Sequence, residues 1–365
     1  MSETKRPVIA YALASAGMGH ATRAVPIIEW LSSRYEVHIF CGGPAYRWLG
    51  KKFPNVHWIR RFVSVSVGAR SSLPLMLAWA TLTVPLTVAS ILRVLGFLVG
   101  HRPLVLITDF EGQSAYAALL LRPWLKTRIV ECDDWSALRF EEPPWPLTKA
   151  EGATHARWNR LVRSMVYFAD AHLVQGVLRP PLNHPRARHV PPPIRDEFGK
   201  YAGELRTDGP IVVSLGAARK FPGLPEILAK AGLPFVVFGW HREATEGAVS
   251  YRSFREDEYV AALARAPFAV VSGNSSALDA LALKKPFLMH PAPGQFEQWY
   301  RARSYEALGV ARFVRDLTVE SLHDFARDCE GYRKRAAEVS VFDNDAVFAE
   351  LEREIEAAAG TEAAR

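Results

Sequence analysis

Cysteine is scarce in this chain. The three present in 365 residues, Cys41, Cys132 and Cys329, are far apart and odd in number. That excludes a disulfide framework and points to a reducing compartment. No CxxC and no HExxH occurs, so no zinc site is implied. Long blocks of one charge are missing as well. The formal net charge of +7 is spread along the chain, which argues against a nucleic-acid partner and leaves open an anionic membrane surface or a phosphorylated ligand. There is no low-complexity tract and no repeat of solenoid length. Met1 to Arg6 is polar and runs straight into a strand-like segment, so no secretory signal is read and the cytoplasm is expected. What is present is ordinary globular material, 49% hydrophobic and 23% charged, long enough for two domains.

The most informative stretch is Phe268 to Ala302. Phe268 to Val271 reads as a buried strand, Ser272-Gly273-Asn274 as a turn, and Ala277 to Leu283 as a helix with Ser275 and Ser276 as N-caps. Lys284 and Lys285 suit its end, Pro286 stops it, and Phe287 to Met289 is the next strand. A strand, a glycine turn and a helix start offer backbone N–H groups and a positive dipole end to phosphate. Asp279, one turn in, could accept hydrogen bonds from a ribose. Ser276 to Asp279 also has the form of a capping box that needs no ligand. Gly294-Gln295-Phe296-Glu297-Gln298 opens the next helix and would offer an acid and an amide to a sugar ring. Glu297 taken alone reads equally as a solvated helix charge.

The spacing from Gly273 to Asp279 to Pro286, then Gln295-Phe296-Glu297-Gln298, resembles the donor-site signature of GT-B glycosyltransferases. The nearest resemblance is to the group related to glycosyltransferase family 28, which includes the lipid-linked N-acetylglucosaminyltransferase of peptidoglycan synthesis and the galactosyldiacylglycerol synthases. The resemblance implies two Rossmann-like α/β domains facing across a cleft, with the acceptor on the first and a nucleotide sugar on the second. It implies a C-terminal helix returning to the first domain. Two departures stand out: Asp279 where relatives commonly have Glu, and Arg301 where the peptidoglycan enzyme has Asn. That Arg either favours an acidic sugar or faces solvent.

At the other end, Val8 to Leu13 is a strand, Ala14 to His20 a glycine-containing loop, and Ala21 to Ser33 a helix. The loop is neither a Walker A sequence nor the G-x-G-x-x-G dinucleotide pattern. Its distinguishing residue is His20, directly after Gly17 and Gly19. The glycines allow close approach to the backbone, and the helix dipole is expected to lower the imidazole pKa. A lone His there reads also as a local cap. The Gly17-x-Gly19-His20-Ala21-Thr22-Arg23 string resembles the N-terminal loop of this transferase group and of the transferase-like half of plant L-arabinokinases. By that resemblance His20 is the acceptor-side base and Gly19 belongs to the donor set. Leu104 to Thr108 reads as a strand delivering Asp109 to the same edge, either to orient His20 or to cap the following helix. Asp133-Asp134 invites a metal reading, which is weak here because the resemblance implies metal-independent chemistry.

Leu73 to Leu92 has no charged residue, and the apolar run continues past Arg93 to Val99. By length it could span a bilayer, but Pro74 and Pro85 interrupt it and it lies between strands of one sheet. It reads as a buried crossover, with a segment lying in the membrane surface next in order and a span last. Arg60, Arg61, Arg70, Arg93 and Arg102 flank it and could meet lipid headgroups, placing the protein at the inner face of the membrane. Residues 1–190 form the expected acceptor domain, ending at a strand Ala171 to Gln175. The proline-rich Arg179 to Arg195 is the linker. Residues 205–335 form the nucleotide-sugar domain, and 336–365 a C-terminal helix, Phe342 to Ala358, and a disordered tail. In the second domain Gly216 and Arg219 or Lys220 follow a strand, and the resemblance brings them to the diphosphate and Phe254 to the base.

The expected activity is therefore an inverting, metal-independent hexosyltransferase. It takes a nucleoside diphosphate sugar, UDP by default, as co-substrate without a further cofactor, and acts on a hydroxyl of a lipid or small-molecule acceptor. His20 and Asp109 are the catalytic pair. Gly19, Gly216, Arg219, Phe254, Gly273, Asn274, Ser275, Ser276, Asp279, Gln295, Glu297 and Gln298 hold the donor. A nucleotide-sugar epimerase of the same fold and a non-catalytic nucleotide-sugar-binding module are the alternatives.

Overall fold

Strand β1, Val8–Leu13, is buried at every position, as a parallel strand covered by helices on both faces must be. It lies inside a seven-stranded sheet with β2 (Glu36–Cys41), β3 (Val56–Trp58), β4 (Val105–Asp109), β5 (Arg128–Asp133), β6 (Ala171–Gln175) and β7 (Ala187–Val190). The order is β3-β2-β1-β4-β5-β6-β7, parallel throughout. Successive strands are added on one side of β1 as far as β3 and on its other side from β4 onward, so the loops after β1 and β4 open a crevice at the carboxyl edge. The helices here are α1 (Gly19–Ser32), α2 (Gly43–Leu49), α3 (Val84–His101), α4 (Gly112–Leu121), α5 (Ala137–Phe140) and α6 (Lys149–Val166). The computed structural model describes residues 6–15, 18–60, 66–67, 70–71, 81–166, 168–201, 206–216, 221–240, 242–340 and 342–363.

A second sheet follows. Its strands are β8 (Ile211–Ser214), β9 (Phe235–Phe238), β10 (Ala244–Glu246), β11 (Val249–Arg252), β12 (Ala269–Val271), β13 (Phe287–Met289) and β14 (Ala311–Phe313). The order is β10-β11-β9-β8-β12-β13-β14, and only the β10–β11 hairpin is antiparallel. The same change of side falls between β8 and β12, which pair in parallel. Between and after the strands run α7 (Leu224–Ala231), α8 (Glu256–Arg265), α9 (Asn274–Ala282), α10 (Phe296–Ala307), α11 (Val319–Glu338) and α12 (Asn344–Ala363). Two units result: Met1–Val65, Ser72–Pro193 and Asp343–Arg365 in the first, Ser66–Ser71 and Ile194–Phe342 in the second.

Four expectations are corrected here. Ala171–Gln175 does not end the first sheet, because Ala187–Val190 adds an edge strand inside the proline-rich segment. Ala187 and Val190 are buried at its ends, and the three prolines that cannot donate to a ladder begin only at Pro191. Pro85 starts α3 instead of breaking it, since it occupies the first turn, where no N–H is needed. That helix is not a buried crossover: Val84, Val88, Leu92 and Val99 stand exposed while Ser90, Val94, Phe97 and Leu98 pack inward. Residues 72–80 of the same apolar run lie outside the described residues. The tail read as disordered from Gly360 is helical through Ala363. Helix α12 lays Val347, Leu351, Ile355 and Ala358 into the core of the first sheet. Arg128 and Arg188 donate to Glu354 and Glu350, at 2.6 and 2.8 Å in the two best-formed bonds.

Candidate functional site

In the first unit the loop after β1 and the end of β4 bring His20 and Asp109 together, with Leu13 and Asp109 paired across the strands. His20 Nδ1 lies 2.7 Å from Asp109 Oδ1. A buried carboxylate accepts and does not donate, so Nδ1 carries the proton and Nε2 is left as a proton acceptor. Arg23, one helical turn on, forks between two carboxylates. Its Nη2 is 3.3 Å from Asp109 Oδ1 and its Nη1 2.8 Å from Asp134 Oδ2. The same Nη2 is 3.2 Å from His20 Nδ1. Burial works against protonation of His20, but the charge and hydrogen bond of Asp109 outweigh it, and the pKa stands above its ordinary value. This overturns the expectation that the helix dipole lowers it: a carboxylate at hydrogen-bond distance outweighs a partial charge at a helix end.

The second reading of Asp109, as a helix cap, is also overturned. Glu111 caps α4, accepting from Ser114 N at 2.8 Å and Gln113 N at 3.2 Å. Phe110 between them has φ +52, costly for a bulky residue, and its ring stacks on Trp135 at 4.6 Å. Asp134 is held by Arg23, and Asp133 Oδ1 accepts from Ser136 N at 2.7 Å. Among the described residues no group of three or more His, Cys, Asp and Glu is placed to hold a metal ion.

In the second unit, loops after β8 and β12 flank the point where the strand order changes side. Gly216 sits in the first with φ +73, a conformation that favours glycine. Arg219 and Lys220 lie outside the described residues. In the second loop the N-cap of α9 is Gly273, with no side-chain cap. Ser275 and Ser276 are not caps but the second and third helical residues, so the capping-box reading of Ser276 and Asp279 fails. The first backbone N–H groups of the helix have no partner within it, which is the condition for holding an anion. Asn274 is buried, and its Oδ1 accepts from Tyr305 Oη at 2.6 Å, a tie that fixes the helix start to α10.

Asp279 meets Arg195, whose Nη2 donates to Oδ1 at 3.0 Å, and Arg195 also pairs with Glu256. Burial pushes the Asp279 carboxyl up to about 6, against the pull of Arg195. At the start of α10, Gly294 has φ +77 and Gln295 is the N-cap. Gln298 Oε1 accepts from Ala292 N at 2.9 Å, and its Nε2 would lie 3.7 Å from a Cβ added at Gly273. One amide thus spans the two helix starts. Glu297 is buried and so is not a solvated charge; Arg301 is also buried, which removes the solvent-facing reading. Phe254 is exposed after β11, 5.2 Å from the Tyr259 ring.

Sequence reasoning passed over Arg23 as a partner of the His20 pair, and over Tyr305 and Arg195. Arg23 had a signal, its one-turn spacing from His20; the other two are joined to their partners only by the fold.

Comparison with known proteins adds the family. The model described as glycosyl transferase family 1 matches residues 8–329. The chain belongs to glycosyl transferase family 1. It is therefore a glycosyltransferase, and where the motif spacing pointed to family 28, the family shown is family 1. Solved structures agree on the GT-B fold of this glycosyltransferase. Spinosyn rhamnosyltransferase SpnG complexed with thymidine diphosphate is 18% identical, over 95% of this chain and 100% of that one, with TM-score 0.60. The calicheamicin glycosyltransferase CalG4 is 17% identical over 98% and 99%, TM-score 0.62. UGT2 of Phytolacca americana, complexed with UDP-2-fluoro-glucose and pterostilbene, is 13% identical over 96% and 100%, TM-score 0.65. Comparison with curated protein sequences finds no match. At such identities the structural likeness establishes the two Rossmann-like α/β units.

Proposed function

We propose that this glycosyltransferase moves a hexose from a pyrimidine nucleoside diphosphate sugar, UDP first, to a hydroxyl of a lipid or small-molecule acceptor. The transfer inverts the sugar carbon and uses no metal ion. The observation that carries the reading is the His20–Asp109 pair at 2.7 Å, which fixes Nδ1–H and leaves Nε2 to take the acceptor proton. The oxygen so activated attacks the sugar carbon, which passes through an oxocarbenium-like state as the bond to the diphosphate breaks. The uncapped start of α9 and the start of α10 stabilise the departing diphosphate. Asp279 accepts from the ribose, and Gln295, Glu297 and Gln298 serve the sugar. With His20 as the base, the acceptor oxygen displaces the diphosphate directly, in one step that inverts the sugar carbon.

Thymidine diphosphate and UDP-2-fluoro-glucose in the neighbours support a pyrimidine donor. Neighbours named for spinosyn and calicheamicin, and one complexed with pterostilbene, support a small-molecule acceptor; the family 28-like motif spacing supports a lipid. The three buried free thiols suit a cytoplasmic setting. The test is His20→Ala. Loss of transfer with UDP binding retained supports the base; unchanged transfer removes it. The anomeric configuration of the product, read by NMR, decides inversion.

A further inference from the structure

Arg195 is the second residue of the second unit, just past Pro191 to Pro193. Its side chain is only 9% exposed. A guanidinium keeps its charge at any working pH, so a buried one has to be matched by carboxylates. Two match it. Nη1 pairs with Glu256 at the start of α8, and Nη2 donates to Asp279 Oδ1 at 3.0 Å, in α9. The Phe198 ring centroid lies 5.0 Å from the Arg195 Cζ and holds the fork in place. The segment that enters the second unit and two of its helices thus meet at one cation.

The two carboxylates stand in different settings. Glu256 opens α8, where the positive end of the helix supports a negative charge. Asp279 is the sixth residue of α9, past the turn over which that support acts. Around Asp279 the charged and titratable groups are Arg195, the buried Tyr259 of α8 and, behind the guanidinium, Glu256. Burial pushes the Asp279 carboxyl up to about 6 even with the charge and hydrogen bond of Arg195 and the Tyr259 hydroxyl drawing it down. Without the guanidinium it would stand higher, and Asp279 would be a neutral acid at neutral pH. A neutral carboxyl has turned one acceptor oxygen into a donor.

We propose that Arg195 is a positioning residue for the donor: its guanidinium, divided between Glu256 and Asp279, holds the Asp279 carboxylate ionised and oriented for the ribose hydroxyls. The inference rests on the reading of Asp279 as the ribose acceptor. The test is calorimetry of uridine and of UDP binding across pH. In the parent, affinity for both rises with pH through about 6. Arg195→Met should move that limb up by about 1–3 pH units. A move of about two units leaves about a tenth of the carboxyl ionised at neutral pH, so uridine and UDP should both weaken about tenfold there. Arg195→Lys keeps the charge without the fork and should return part of the limb's position. Glu256→Gln removes the competing carboxylate at a partly exposed position, so it tests the same idea even where Arg195→Met fails to fold. Its limb should move the other way, to lower pH than in the parent. A tie that only anchors the chain would lower the melting temperature of Arg195→Met and leave the limb where it was, which would overturn the proposal. Weaker UDP with unchanged uridine would place Arg195 on the diphosphate itself and overturn it as well. The two readings fail separately. Uridine affinity unmoved by Asp279→Asn removes the ribose acceptor and the proposal with it; uridine weakened by Asp279→Asn but not by Arg195→Met removes the role of Arg195 alone.

Discussion

Replacing Asp109 by Asn tests the proposed chemistry most sharply, because it changes charge while keeping shape. Asp109 is 1% exposed and His20 14%, so solvent screens little of their attraction. Two unit charges at that 2.7 Å separation attract by about 6 kcal/mol at an effective dielectric of 20. Burial of the imidazole consumes part of this, and the balance holds the His20 pKa above its ordinary value. An amide removes the attraction and reverses one hydrogen bond. Its NH2 can donate to Nδ1, which drives the ring proton to Nε2 and blocks the base. Arg23 keeps its second partner, Asp134, at 2.8 Å, so the fold should hold. The expected result is a fall in kcat of about 10³–10⁴-fold with donor KM little changed, since the proposed donor groups other than Gly19 lie in the second unit. The pH profile adds an independent readout. A general base works deprotonated, so the rate rises with pH through the His20 pKa, and the variant's limb should move to lower pH. Steady-state transfer rates across pH, with UDP binding measured by calorimetry, supply both numbers. A kcat within about an order of magnitude of the parent, with the limb unmoved, would refute the role given to this pair.

Three further outcomes are expected. Asp279→Asn should weaken UDP binding about tenfold. In the parent the affinity should fall as pH drops through about 6, where Asp279 is protonated, loses its charge and turns one acceptor oxygen into a donor; calorimetry on either side of that pH checks both. Tyr305→Phe leaves the buried Asn274 Oδ1 without its 2.6 Å donor, a cost of about 1–3 kcal/mol. The melting temperature should drop by several degrees and donor affinity with it. Glu131 is buried beside His172, 2.9 Å away, and burial first, then Asp133, hold its carboxyl well above 4.5. Its raised pKa in the folded state gives stability that is complete below 4.5 and lost as pH rises, at about 1.4 kcal/mol per pH unit. Glu131→Gln removes that loss. Denaturant unfolding should find the variant more stable than the parent at alkaline pH, with the difference shrinking toward acid.

Much of the fold was legible because short apolar runs alternate with helices at regular intervals, and parallel sheets demand that pattern. The strand Val8 to Leu13 and the unit from β12 to β13 fall where their residues place them. The errors have local causes. Ser275 and Ser276 are good caps by type, but Gly273 already turns the chain in extended conformation, so the helix begins a residue before the first serine. Ala187–Val190 is too short and too close to prolines to announce itself. The amphipathic character of α3 is hidden because both of its faces are apolar, and only the packing says which is inside. For the site, His20 and Asp109 were readable from their positions at strand ends. Their common partner Arg23 was not, because the two carboxylates that meet its buried guanidinium, Asp109 and Asp134, are delivered by different strands.

The path of the chain has a consequence for how the molecule is made. It leaves the first unit after Pro193 and re-enters it only at Asp343, so most of the second unit is an insertion within the first. During synthesis the inserted unit has all of its later strands and helices before the first unit has Val347, Leu351 and Ile355 to close its core. A nascent chain stopped short of residue 343 would therefore expose the interior of the half that was translated earliest. Proteolytic trimming from the carboxyl end would harm the half that holds His20 before it touched the inserted half.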